Sequence, residues 1–218
     1  MTPILTTLKW VPDMARGLVR DVRVRWACEE VGLPYAVELV DFDQTAGADY
    51  RGDHQPFGQV PVYTDDQGRL FESGAIVLRI AERTGQLLPA DPAGRLRTIQ
   101  WLIAALNSVE PMVMDLATVE LFEADCEWRD QRRPLVMANL KKRLDALEAA
   151  LGDKTWLDGD DFTVADLIMV TVLRPAEKRG VIGAYPRLAA YLARGMARPA
   201  FKKALADQLA LYADSQPN

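Results

Sequence analysis

Two neighbouring runs, Phe57-Gly58-Gln59-Val60-Pro61 and Phe71-Glu72-Ser73-Gly74-Ala75-Ile76, decide how the rest of this chain reads. Val60, Val62 and Tyr63 form a short apolar strand around Pro61, the polar stretch Thr64 to Arg69 turns the chain, and Leu70-Phe71 returns it. A hairpin feeding a helix is expected. Ile76, Val77, Ile80 and Ala81 recur at helical spacing, and Gly85 stands where a left-handed stop is needed. Ser73 is then expected at the N-cap, its hydroxyl beside unpaired backbone N–H groups and the positive end of the helix dipole. That position suits a carboxylate, and Glu72 beside it suits an ammonium, so the pair can hold both charged groups of an α-amino acid. Val60, extended before Pro61, offers its N–H and C=O to an added peptide strand. The expected ligand is a small peptide with a free amino-acid end. The plainer reading of the same residues is that Pro61 shapes a turn and Ser73 caps a helix.

Outward from this stretch, Pro3 to Leu8 reads as a first strand, Arg20 to Val31 as a helix ended by Gly32-Leu33-Pro34, and Val37 to Val40 as a second strand. Asp41 to Gln55 reads as a loop with a short helix near Gly47 to Arg51. Residues 85–94 are rich in Pro and Gly without periodicity and read as a linker. Beyond it the signals are helical. Leu96, Ile99, Ile103 and Leu106 share a face, with Pro111 expected to bend or interrupt a helix running to about Leu121. Val136, Leu140, Leu144, Leu147 and Leu151 form a second stripe. Thr163 and Asp166 have the spacing of a capping box, flanked by Phe162 and Leu167 as a hydrophobic staple. Two amphipathic helices, from Pro186 and from Pro199, complete the chain. The expected organisation is 1–84, an α/β domain, 85–94, a linker, and 95–218, an all-α domain.

Composition narrows the function. With 218 residues, 49% of them hydrophobic, the chain can bury a sizeable core. A net charge of −5 argues against nucleic acid or an anionic membrane as partner. No apolar run approaches a membrane span and no signal peptide is evident, so a cytoplasmic location is expected. Two cysteines, Cys28 and Cys126, without a CxxC, indicate neither a disulfide framework nor a metal site. A single histidine, His54, leaves no conventional Ser/His/Asp triad.

The string F-G-Q-V-P followed by E-S-x-A-I resembles the glutathione transferase family, and the T-x-A-D run at Thr163 resembles the buried helix start of that family's second domain. The resemblance implies a thioredoxin-like N-terminal domain and a cis Val60–Pro61 bond. It further implies that glutathione is bound by Gln59, Val60, Pro61, Glu72 and Ser73, as substrate and with no metal. The family needs the glutathione thiol as thiolate, and a free thiol has a pKa of about 8.5. Its usual donor is a Tyr, Ser or Cys after strand one, yet no such residue lies between Lys9 and Val24. That segment carries positive charge instead, with five cations and two anions between Lys9 and Arg25. Arg20, then Arg16, are the expected catalytic residues, with Thr6, Thr7 and the Trp10 indole as weaker donors. The same loop is similar to the bacterial eta class, which also lacks the usual donor.

The electrophile is expected between the domains, over Leu8, Trp10, Val11, Pro12 and Met14 on one side and Asn107, Met112 and Met114 on the other, with Arg174 a further contributor. Arg174 also reads as a helix C-terminal cation favoured by the dipole. The resulting expectation is a homodimeric transferase joining glutathione to hydrophobic electrophiles or peroxides. Two rivals stand beside it: a noncatalytic glutathione-binding scaffold, and a glutathione-dependent thiol-disulfide reductase. The reductase would want a cysteine where Arg20 stands.

Overall fold

The computed structural model describes residues 1–213, which divide into two units. Residues Met1–Leu87 and the described residues from Ala197 onward form the first, and Leu88–Met196 the second.

In the first unit, four strands lie in the order β2-β1-β3-β4: β1 Ile4–Leu8, β2 Ala36–Val40, β3 Val62–Asp65 and β4 Gly68–Phe71. β1 runs parallel to β2, with Leu5 opposite Val37, and antiparallel to β3, with Leu5 opposite Tyr63. A parallel neighbour needs a crossover, here supplied by α1 (Asp21–Val31), whose end is set by Gly32 at φ 66°. Between β2 and β3 come α2 (Phe42–Ala46) and α3 (Ala48–Asp53). The short helix expected near Gly47 to Arg51 is α3, whereas α2 forms where the sequence predicts loop: Asp41 and Gln44 cap it reciprocally, the Asp41 N–H donating to Gln44 Oε1 at 2.7 Å. At five residues, α2 is too short to show a hydrophobic period. The β3–β4 hairpin pairs Val62 with Phe71 and leads directly into α4 (Ser73–Thr84), which stops at Gly85, φ 67°. Hairpin, helix and stop all follow the sequence reading.

The second unit begins with α5 (Pro92–Ala104) and α6 (Glu110–Ala117), joined by a π-helical turn at Ala105–Val109 and followed by another at Thr118–Phe122. Pro111 has no N–H and crowds the carbonyl a turn earlier, and the widened turn just before it is where the helix accommodates this. The whole run Pro92–Phe122 is long and apolar enough by composition to cross a membrane, which corrects the expectation that no segment is. Gln100, Asn107, Glu110 and Asp115 break up the apolar residues and hide that length. Leu102, Ala105, Val109, Val113 and Leu116 are buried, and α5 and α6 pack on α8 (Val164–Glu177) and α7 (Arg129–Leu151), the pattern of a core helix. In α7 the expected stripe Val136, Leu140, Leu144, Leu147 and Leu151 is buried.

The Thr163–Asp166 capping box forms as expected. Asp166 accepts from the backbone N–H of Thr163 at 3.0 Å, the Thr163 hydroxyl at 2.9 Å, the Leu157 N–H at 2.9 Å and the Tyr191 hydroxyl at 3.0 Å. Tyr191 belongs to α9 (Pro186–Ala197), so one carboxylate ties a helix start to a loop and a second helix. Phe162 stacks edge-on against Trp156 at 4.8 Å.

The last helix, α10 (Pro199–Ala213), departs from the expected boundary. It packs on α1 within the first unit: Phe201 meets Trp26 edge-on at 4.8 Å, and Arg198 grips Glu30 with bonds of 2.5 and 2.7 Å. Its apolar face is legible in sequence, but the α1 surface that completes it is about 170 residues earlier, beyond the reach of any local pattern.

Candidate functional site

Ser73 is not the N-cap of α4. Glu72 holds that position, at φ 68° and ψ 110°, and Ser73 is the first helical residue. The first helical bond runs from the Ile76 N–H to the Glu72 carbonyl at 3.0 Å. The N–H groups of Ser73, Gly74 and Ala75 therefore stand at the positive end of the helix without helical acceptors. The Ser73 hydroxyl accepts from Arg23 Nη1 at 3.1 Å, and Arg23 is almost wholly buried in α1. A buried guanidinium thus stands behind the helix start, adding positive potential where a carboxylate would bind. Sequence reasoning counted Arg23 as one cation among five and missed this partner, which is 50 positions away. Glu72 is exposed and adopts a backbone angle that favours glycine, a conformation costing about 1–3 kcal/mol that the surrounding fold must impose.

On the other side of the hairpin the Val60–Pro61 bond is cis. The loop before it is organised by Gln55, which the sequence reading passed over. Gln55 is buried, and its Oε1 accepts from the N–H groups of Phe57 at 2.6 Å and Gln59 at 3.1 Å. The Tyr50 hydroxyl donates to the Gln59 carbonyl at 2.9 Å. These bonds engage the Gln59 backbone and leave its side chain exposed. Gly58 has φ 66°, and a Cβ there would fall 2.6 Å from the Thr45 carbonyl oxygen, so the loop closes only on glycine.

Val60 packs against the cluster Leu8, Val11, Val40, Tyr50, Val62 and Tyr212, and Ala15 and Val19 pack on the same cluster. The entry to α1 and the valine of the hairpin therefore share one patch of core. Three cations of that entry pair with carboxylates. Lys9 pairs with Asp41 at 2.6 Å, Arg16 with Asp13 at 3.1 Å, and Arg25 with Asp21 at 2.7 Å in a buried pair. Burial pushes the Asp21 carboxyl up, and Arg25, Gln208 and Thr7 pull it back. Arg20 stands exposed at the N-cap of α1. Thr6 and Thr7 are buried in β1, with the Thr6 hydroxyl donating to Glu38 at 2.6 Å, as strand residues should be.

Of the residues expected around the electrophile, Trp10 is half-buried and meets Phe42 edge-on at 6.4 Å in the first unit. In the second, Asn107 is exposed in the π-helical turn and Met112 is half-buried in α6. Arg174 lies in the last turn of α8, and burial pulls its guanidinium down to about 10, so it remains a cation at neutral pH. Cys28 is fully buried, and burial pushes its thiol up to about 12, which removes it as a nucleophile. A cleft of about 480 Å³ in the first unit is lined by Arg25, Cys28, Tyr35, Val37 and Lys203 among others, and none of the hairpin residues borders it. Among the described residues no three His, Cys, Asp or Glu side chains gather as a metal site.

Two family models match the sequence, described as Glutathione S-transferase, N-terminal domain, over residues 22–83, and Glutathione S-transferase, C-terminal domain, over residues 119–194. Glutathione S-transferase 4 of Zea mays is 31% identical over 217 residues, spanning 93% of this chain and 92% of its own. Among solved structures, a glutathione transferase family member from Pseudomonas fluorescens pf-5, with two glutathione bound, superposes with a TM-score of 0.81 at 27% identity. It covers 94% of this chain and 92% of its own. A glutathione transferase from Burkholderia graminis, with two glutathione molecules bound per subunit, gives 0.80 at 30% identity, covering 94% and 87%. The likeness extends through both units, well past the short hairpin motif, and the chain belongs to the glutathione S-transferase family.

Proposed function

We propose that this chain is a glutathione transferase whose first unit cradles glutathione between the cis Val60–Pro61 turn and the start of α4. The γ-glutamyl carboxylate lies on the N–H groups and hydroxyl at Ser73, its ammonium on Glu72, and the cysteinyl backbone pairs with Val60 beside Pro61, with Gln59 reaching the glycyl end. The observation that carries this reading is the Glu72–Ser73 junction. An acidic side chain is held in a strained conformation at a helix start whose first hydroxyl is backed by a buried arginine. The cost of that arrangement makes sense as preorganisation for an amino acid's paired charges.

Arg20, with Arg16 second, lowers the pKa of the glutathione thiol. The thiolate attacks an electrophilic carbon, forming the S–C bond as the leaving group departs with its electron pair. Trp10, Asn107, Met112 and Arg174 contribute to the acceptor side. Arg20 comes first because it stands at the N-cap of α1, while Arg16 lies four residues before it. The free thiols Cys28 and Cys126 suit a reducing, cytoplasmic compartment. A homodimer is supported by the exposed aromatic pair Phe57, in the loop before β3, and Phe71, at the end of β4, with rings 6.4 Å apart.

A second reading, reduction of disulfides, is favoured by the two glutathione molecules in the P. fluorescens and B. graminis structures. One glutathione thiolate would attack the disulfide and displace a thiolate. The second would then attack the mixed disulfide, yielding glutathione disulfide and the reduced thiol. Cys28 takes no part in it.

Titration of glutathione with the protein across pH, read by thiolate ultraviolet absorbance, tests both. A bound thiol ionising well below that of free glutathione, restored upward by Arg20→Ala more than by Arg16→Ala, is the expected result. Faster turnover of a small disulfide than of an aromatic halide would select the second reading. Binding with an unperturbed thiol would instead make the chain a glutathione-binding scaffold, and absence of binding would overturn the cradle itself.

A further inference from the structure

The buried polar groups between α10 and α1 are not used by the cradle as described, and they converge on the segment that leads into α1. Gln208 of α10 is fully buried. Its Nε2 donates to the Val19 carbonyl at 3.1 Å and, through a short bond, to Asp21 Oδ1. Both partners accept, so both amide hydrogens are committed and the amide cannot flip without placing its oxygen against two acceptors. The Val19 carbonyl also accepts from the Val22 N–H at 3.1 Å, the bond that closes the turn into α1. Asp21 in turn is bound to Arg25 one helical turn on. Three and four residues beyond Gln208, on the same face of α10, Leu211 and Tyr212 pack on the cluster that holds Val19 and Val60. Arg20 lies between the two residues Gln208 grips, and Arg23, two positions beyond Asp21 on α1, holds Ser73.

We propose that Gln208 is a positioning residue for the glutathione sulfur: it clamps the Val19–Arg20–Asp21 entry of α1 against Val60, so that the groups activating the thiol stay in register with the cradle. This rests on the reading that glutathione binds at Val60 and Ser73 and is activated at the entry to α1. On this proposal α10 becomes part of the catalytic apparatus.

The test compares the parent protein, Gln208→Met and Phe201→Leu, each with glutathione bound. Phe201→Leu loosens α10 on Trp26 without touching the polar clamp. For Gln208→Met, the bound thiol is expected to titrate about one pH unit higher, a roughly tenfold loss of thiolate at pH values well below the bound pKa, while the glutathione Kd changes by less than about threefold. Phe201→Leu is expected to lower Tm and leave the thiol titration in place. Equal upward shifts in both variants, or none in Gln208→Met, would overturn the proposal while leaving the transferase reading standing. A parent protein that does not lower the thiol pKa removes both. If Gln208→Met does not fold, Gln208→Asn, which is too short to reach both acceptors, carries the same comparison with the same outcomes.

Discussion

At Glu72 the proposed cradle sets backbone strain against ligand binding in one residue. Its φ of 68° favours glycine, and the strain is about 1–3 kcal/mol, whereas a glycine there would forfeit only about 0.5–1 kcal/mol through the unfolded chain. Glu72→Gly is therefore expected to leave Tm unchanged or raise it while weakening glutathione binding at least tenfold, because the ammonium loses its anion. Calorimetry of folding and of binding on the same variant reads both signs, and a fall in both would show that the glutamate is structural. At this scale the sequence is informative about Glu72, Ser73, Val60 and Pro61, because hairpin, helix and motif coincide within some fifteen residues. It is silent about Arg23 and Gln55. An arginine among four other cations carries no mark of which one turns inward, and a glutamine that organises a loop looks like any polar loop residue.

Capping and packing divide the helices into those legible in sequence and those that are not. The Thr163 box is legible because both halves lie within one turn, while the Leu157 and Tyr191 donors that converge on Asp166 come from elsewhere in the fold. Asp166→Ala leaves those buried donors without an acceptor, so a loss of at least about 3 kcal/mol is expected. For a chain of this length that corresponds to a Tm lower by roughly 6–12 °C. Thermal melts followed by circular dichroism check it. A change below about 1 kcal/mol would mean that water replaces the carboxylate. The π-helical turns beside Pro111 are half legible: proline announces a disturbance, but only packing decides that the helix widens and continues.

The assignment of α10 to the first unit, and the partner for Phe57, are properties of the whole molecule. Phe57 is 66% exposed, an unusual state for a phenylalanine at the tip of an ordered loop, and its partner Phe71 extends the patch. Phe57→Asp places a charge in the proposed contact between two subunits and is expected to yield monomers near 24.3 kDa in sedimentation equilibrium, where the proposal expects twice that mass for the parent. A parent that sediments as a monomer refutes the dimer, and a variant that remains dimeric places the contact elsewhere. The change from alternating to helical periods is legible in sequence, while the stretch read as a linker, 85–94, already contains the start of α5 at Pro92. The return of the last helix is not legible, because amphipathicity states that a face is covered and never by what.

That return imposes an order on synthesis. The ribosome completes β4 and α4, and with them Val60, Glu72 and Ser73, long before α10 exists. At 5–20 residues per second, on the order of ten seconds pass while residues 88–196 are made. During that interval the α1 surface that Phe201 and Gln208 will cover faces solvent or a chaperone. On the proposed reading, the nascent chain therefore carries Val60, Glu72 and Ser73 of the cradle but an unfinished wall. If Gln208 positions the entry of α1 as proposed, competence arrives with α10, as a single late event in translation.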